Sequence, residues 1–131
     1  MNNRSAVIIM LILVLFVTAV SAYPPVWKML GKKTVKFTVD RDVIQSGIRD
    51  GVFKAIKLKV KRSGVNIRDI KVHFQNGDVF DVKVRKRIPK NGETRVIDLP
   101  GHNRIIDKVV FWYDSTERNA KRALVELWGR K

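Results

Sequence analysis

The chain has 131 residues, with 27 lysines and arginines against 12 aspartates and glutamates, a net charge of +15, and no cysteine. Disulfides, thiol catalysis and cysteine-bound metal are therefore excluded, and any fold must rest on apolar packing alone. A chain this cationic favours polyanionic neighbours: anionic polysaccharide, lipid headgroups or an acidic protein.

Arg4 precedes an almost unbroken apolar run from Ala6 to Val20. Val20-Ser21-Ala22 then presents short side chains just ahead of Pro24-Pro25. This is the pattern of a secretory signal peptide over residues 1–22, helical along its apolar stretch and cleaved after Ala22. The run falls short of the roughly 20 residues needed to cross a bilayer as a helix. An uncleaved N-terminal membrane anchor is the alternative. Residues 23–131 keep a charge of +14 once Arg4 is gone, and they are long enough for one domain with its own core.

From Thr34 onward the apolar residues alternate with polar ones, with turn residues every ten or so positions, as in an antiparallel sandwich or barrel. Val35, Phe37 and Val39 alternate with Thr34, Lys36 and Thr38. Asp42 to Val52, with Gly47 and Gly51, reads as a loop or a short strand. Ile56, Leu58 and Val60 alternate with Lys57, Lys59 and Lys61. Val65 and Ile67 are out of phase with Ile70, Val72 and Phe74, which predicts a β-bulge near Arg68-Asp69. Asn76-Gly77 predicts a tight hairpin with both turn residues at positive φ. The strand after it carries Phe80, Val82 and Val84 against Asp81, Lys83 and Arg85.

Pro89-Lys90-Asn91-Gly92 turns the chain into a strand over Thr94–Leu99, and Pro100-Gly101 turns it again into Ile105–Tyr113. That last segment is apolar on both phases and predicts a central strand covered on both sides. Ser115 to Arg122 reads as a loop, or as one helical turn with Asp114 and Glu117 as its capping box. Ala123–Trp128 closes the domain. The fold class is all-β: an antiparallel β-sandwich of about seven or eight strands, jelly-roll or Greek-key-like.

Several stretches carry a family resemblance. They are Trp27 with Leu30-Gly31, Val39-Asp40-Arg41-Asp42, and Phe53 leading into Ile56-Lys57-Leu58. Val72-His73-Phe74-Gln75-Asn76-Gly77, Arg95 to Gly101 and Arg104 to Tyr113 complete the set. Over Trp27–Gly129 the chain resembles an uncharacterised family of small bacterial exported proteins, catalogued only as a domain of unknown function. The resemblance implies a sandwich-like periplasmic or secreted protein and supplies no catalytic residues.

The outward phases hold the candidate site. With the apolar phase turned inward, Lys36, Lys57, Lys59, Lys61, Lys71, Lys83, Arg85 and Arg87 project outward. If their strands share one sheet, they form a cationic face able to hold several phosphates or carboxylates in a salt-sensitive way. Reversing Lys57, Lys59 and Arg85 to glutamate would then weaken retention on an anionic matrix. The competing reading is that these lysines confer solubility and blunt sheet edges.

Nucleic acid is not the expected partner. An exported protein meets little of it, and Trp27, Trp112, Tyr113 and Trp128 suit core or interface positions better than base stacking. His73 lies on an outward phase and His102 in a turn, neither with ligand spacing, so no metal or other cofactor is expected. Asp40 and Asp42 flank Arg41 and read as its ion-pair partners. Ser46, Ser63 and Ser115 lack a nucleophile's setting. The sequence therefore points to a non-catalytic exported binding module, with an envelope assembly protein as runner-up and an enzyme with a dispersed site third.

Overall fold

The computed structural model describes residues 26–36, 40–114 and 122–131. The leader, most of the strand expected around Phe37 and Val39, and the Ser115–Lys121 stretch lie outside the described residues. Among the described residues there are nine strands: β1 Trp27–Thr34, β2 Arg41–Gln45, β3 Ala55–Lys61, β4 Val65–Phe74, β5 Val79–Val82, β6 Lys86–Ile88, β7 Ile97–Asp98, β8 Ile106–Tyr113 and β9 Leu124–Arg130. They form two antiparallel sheets in a β-sandwich. The first is ordered β1-β9-β3-β7. The second is ordered β2-β8-β4-β5, with β6 also paired to β4. Among the described residues no helix is long and apolar enough to cross a membrane.

Period-two patterning explains the interior. Ile56, Leu58 and Val60 of β3 and Val125 and Leu127 of β9 meet Ile70, Val72 and Phe74 of β4 and Val109, Phe111 and Tyr113 of β8. All are buried, most of them completely. The alternate residues of the same strands face solvent, as one buried side per sheet demands. β8 is central, flanked by β2 and β4. On its second phase Val110 is buried between Val43 and Lys71 of the neighbouring strands, whereas Lys108 and Trp112 are half-exposed, so the strand is not covered on both sides as predicted.

The predicted bulge is present, with the β4–β8 register shifting between Ile67 and Asp69. The predicted hairpin is present too, but its turn differs. Gly77 alone has a positive φ there. The Gly77 N–H donates to the Phe74 carbonyl at 3.0 Å and the Phe74 N–H to the Asp78 carbonyl at 2.9 Å. This is a three-residue loop, a type I turn closed by a left-handed glycine, so only one of the two residues needs the unusual backbone. Asn76 serves through its side chain, which accepts from the Asp78 N–H at 3.0 Å.

The strand expected over Thr94–Leu99 is reduced to a bridge at Glu93 and the short β7. Between them Thr94 is buried, and its Oγ1 accepts from the Leu58 N–H at 3.1 Å. A side chain thus takes a ladder carbonyl's place and lets Arg95 and Val96 bow outward. The ambiguous Asp42–Val52 stretch resolves into β2 and a single 3-10 turn, Ile48–Asp50.

Candidate anion-binding cleft

The eight predicted cations do not form one face. Lys57, Lys59 and Lys61 lie on β3, in the first sheet, whereas Lys71 lies on β4 and Arg87 on β6, in the second. Lys83 and Arg85 follow β5 in the segment leading to β6, and Lys36 is exposed just past β1. The expectation that these strands share a sheet is therefore corrected. β3 and β4 are consecutive in sequence, but the chain crosses between layers at Arg62-Ser63-Gly64, where Arg62 takes φ 70°. β3 pairs instead with β9 and β7. Alternation sets which side chains point outward but not which layer they point out from.

On the first sheet Lys57 and Lys59 are already engaged. The Lys57 ammonium lies 4.2 Å from the centre of the Trp27 ring and 3.5 Å from Glu93, with its side chain only 13% exposed. Lys59 lies 4.3 Å from the centre of the Trp128 ring. The Trp128 indole N–H in turn donates to Glu126 at 3.2 Å. Cations held over indole faces stabilise the sheet surface and cover its aromatics. On the second sheet Arg41 and Lys71 both lie over Trp112, at 5.7 and 5.5 Å. Arg41 is thus an aromatic-stacking residue rather than a partner of its flanking aspartates. Asp42 points the other way and accepts from the buried Tyr113 hydroxyl at 2.9 Å.

The cations that border open space gather where β4 changes partner. Residues Ile70–His73 pair with β5 and Val65–Ile67 pair with β6, with the Arg68 bulge between. A cleft of about 430 Å³ is lined by Arg68, Lys83 and Arg85, with Asp69 and Asp81 at its edge. A second, of about 380 Å³, is lined by Arg68, Arg85, Lys86 and Arg87, with Asn66 and Asp114. Arg68 and Arg85 border both, so the two form one groove with five cations and three carboxylates.

The Lys83–Asp81 contact spans 3.9 Å on a side chain 91% exposed, a geometry worth little in water. Arg87 is oriented by Asn66, whose side-chain oxygen accepts at 3.4 Å. Sequence reading found Lys83, Arg85 and Arg87 but missed Arg68 and Lys86. The phase break at Arg68-Asp69 was the available signal for the first, because a bulge re-aims the side chain it carries. Lys86 falls on the phase that alternation assigns to the interior, where edge position alone keeps it exposed.

A third concavity, beside Phe74 and Arg104, is structurally committed. Arg104 lies 3.8 Å from the centre of the Phe74 ring. It donates to Asp78 at 3.0 Å, to Asn76 at 3.3 Å and to the Pro100 carbonyl at 3.0 Å. The Asn76 and Arg104 hydrogen bonds hold the Asp78 carboxyl below its ordinary range. Burial, and then the bond to Asp42, push the Tyr113 hydroxyl well above its ordinary value. No group of three or more metal-ligating side chains occurs among the described residues.

The fold and the groove define a small antiparallel β-sandwich with a cationic edge cleft. Its chain belongs to the family described as a domain of unknown function, DUF2541, whose sequence profile matches residues 7–129. No curated protein matches it. Among solved structures it is similar to Pseudomonas aeruginosa AlgX, with a TM-score of 0.52 and 10% identity. That match covers 76% of this chain but only 26% of the other, and it bears on the fold alone.

Proposed function

We propose that this protein is an exported, non-catalytic binding module that holds an anionic polymer, such as an acidic polysaccharide, in the groove between β5 and β6. One observation carries the reading. The β4 bulge and the partner change around it open two adjacent clefts that share Arg68 and Arg85 as lining residues. Guanidinium presents paired donors to carboxylate or phosphate oxygens, and a groove longer than one residue suits a repeating ligand. The leader pattern of residues 1–22 supports delivery to the periplasm or the exterior.

Retention on immobilised polygalacturonate as a function of salt tests this. The full chain should bind at low salt and elute steeply as salt rises. Arg68→Glu with Arg85→Glu should weaken binding by about tenfold or more. Lys32→Glu with Lys61→Glu, an equal charge change on the first sheet, should weaken it far less. Equal losses from the two pairs would reduce the effect to net charge and remove the groove from the account. Binding that survives high salt would favour the assembly-protein reading instead.

A further inference from the structure

Among the described residues, the large apolar side chains that remain exposed are concentrated rather than scattered. They are Val26, Met29, Ile48, Val52, Val79 and Val96, and the strand register places all six in the same half of the sandwich. Lys28 ties the start of β1 to the turn carrying Ile48, reaching the Asp50 carbonyl at 3.4 Å and its carboxylate at 3.7 Å. The Lys54 N–H donates to the Arg130 carbonyl at 2.8 Å, and the Lys131 side chain lies against Gly51. Val52 and the C-terminus therefore share this end.

Val79 joins them through Arg104, which bonds both Asp78 and, by its carbonyl, the Phe53 N–H. The far end is different in kind. Lys36, Arg62, Arg87, Lys90 and Arg122 are exposed there, without a large exposed apolar side chain among the described residues.

The apolar end is also where the chain enters the domain. The run Ala6–Val20 is separated from Val26 by five residues, which span at most about 18 Å fully extended. Any membrane that takes up the run therefore lies within that reach of Val26, which is 76% exposed, and Ile48, 69% exposed, stands on the turn that Lys28 ties to the start of β1. Lys28, Arg49, Lys54 and Lys131 are exposed around them, exposed Asp78 and Asp98 at the same end are paired with Arg104 and Arg130, and half-buried Trp27 stands there too. Apolar tips ringed by cations, with an indole at the boundary, match the surface of an anionic bilayer. We propose that, in the chain that keeps residues 6–20 as the uncleaved N-terminal anchor, this end of the sandwich is a membrane-apposed surface seated on the bilayer that takes up the anchor. The cationic groove and the far end are then directed away from it.

The cysteine-free sequence makes the test direct. Ile48→Cys, Val52→Cys and Lys90→Cys, each in the full chain and labelled with the same environment-sensitive dye, are mixed with phosphatidylglycerol-rich vesicles. All three sites are exposed, so the substitutions leave the core intact. Emission should rise and shift to the blue at positions 48 and 52, and lipid-borne quenchers should reach the dye there but not at position 90. Equal responses at all three positions, or none at 48 and 52, would overturn the proposal. A concentration-dependent response without vesicles would overturn it in favour of a second copy of the chain. Neither outcome bears on polygalacturonate binding, so the two readings fail separately.

Discussion

Gly129 offers a sharp test of how the two sheets are held together. It lies in β9, between Lys28 of β1 and Ile56 of β3. A Cβ placed there would sit 2.7 and 2.9 Å from two ring atoms of Phe53 and 3.0 Å from Leu30. Phe53 is completely buried, so its ring cannot swing into solvent. Gly129→Ala should therefore cost about 1–3 kcal/mol of overpacking, offset by about 0.4–1 kcal/mol from the stiffer unfolded chain. Phe53→Leu alone should be destabilising by about 1–2 kcal/mol through lost packing. In that background the alanine methyl enters vacated space, and Gly129→Ala should become neutral or stabilising. Urea titrations of the four proteins measure the coupling, expected at about 1–3 kcal/mol. An identical cost of Gly129→Ala in both backgrounds would refute the claim that ring contact at this position excludes a side chain.

Other outcomes follow from the polar contacts. Tyr113→Phe removes the bond to Asp42 and should cost about 1 kcal/mol. The neutral Tyr113 hydroxyl is favoured in the fold, so its contribution is complete below the ordinary value of 10.0 and is lost as pH rises beyond it. The wild type should accordingly lose more stability than Tyr113→Phe between neutral and strongly alkaline pH, as read by urea midpoints. For Asp78 the sign is opposite. Its lowered carboxyl supports the hairpin above the ordinary value of 3.8, and that support is lost as pH falls through the lower folded value. Arg104→Met keeps apolar contact with Phe74 but removes the hydrogen bonds. It should cost about 1–2 kcal/mol and return the Asp78 titration, followed by NMR, towards 3.8. Lys57→Met retains the stem over Trp27 without the ammonium and should cost about 0.5–1 kcal/mol in a thermal or urea melt.

Alternation made the strands legible because each buries one face: β3 and β4 fall where Ile56–Val60 and Ile70–Phe74 predict, and β8, Ile106–Tyr113, where the apolar run Ile105–Tyr113 does. The bulge was legible for the same reason, as a break of phase at Arg68. What alternation cannot encode is which strand lies beside which. β3 neighbours β9, some seventy residues away in sequence, and that pairing puts Lys57–Lys61 and Arg85–Arg87 in different layers. β1 was missed because Trp27–Thr34 forms an edge with several exposed polar residues, leaving little apolar signal. β7 was over-read because Thr94 satisfies β3 through its hydroxyl, which no periodicity reveals. The groove depended on two features: the bulge, which was legible, and the β5-to-β6 switch, which was not.

The layer separation has a measurable consequence for binding. Short duplex DNA can serve as a calibrated polyanion probe, because log affinity falls with log salt at about −0.9 per neutralised phosphate. Eight cations on one face would give a slope near −7. The groove contains five, Arg68, Lys83, Arg85, Lys86 and Arg87, so contact of each with one phosphate sets a ceiling near −4.5. Asp69, Asp81 and Asp114 on its walls should pull the observed value below that. Removing Arg68 and Arg85 together should flatten the slope by roughly two, whereas neutralising Lys57 and Lys59 should scarcely change it, since they are engaged with Trp27 and Trp128. A wild-type slope near −7 would require cations from both outer surfaces on one ligand. Sheets set back to back cannot present those cations to a single straight duplex, so such a value would mean that the protein binds as an assembly of several copies.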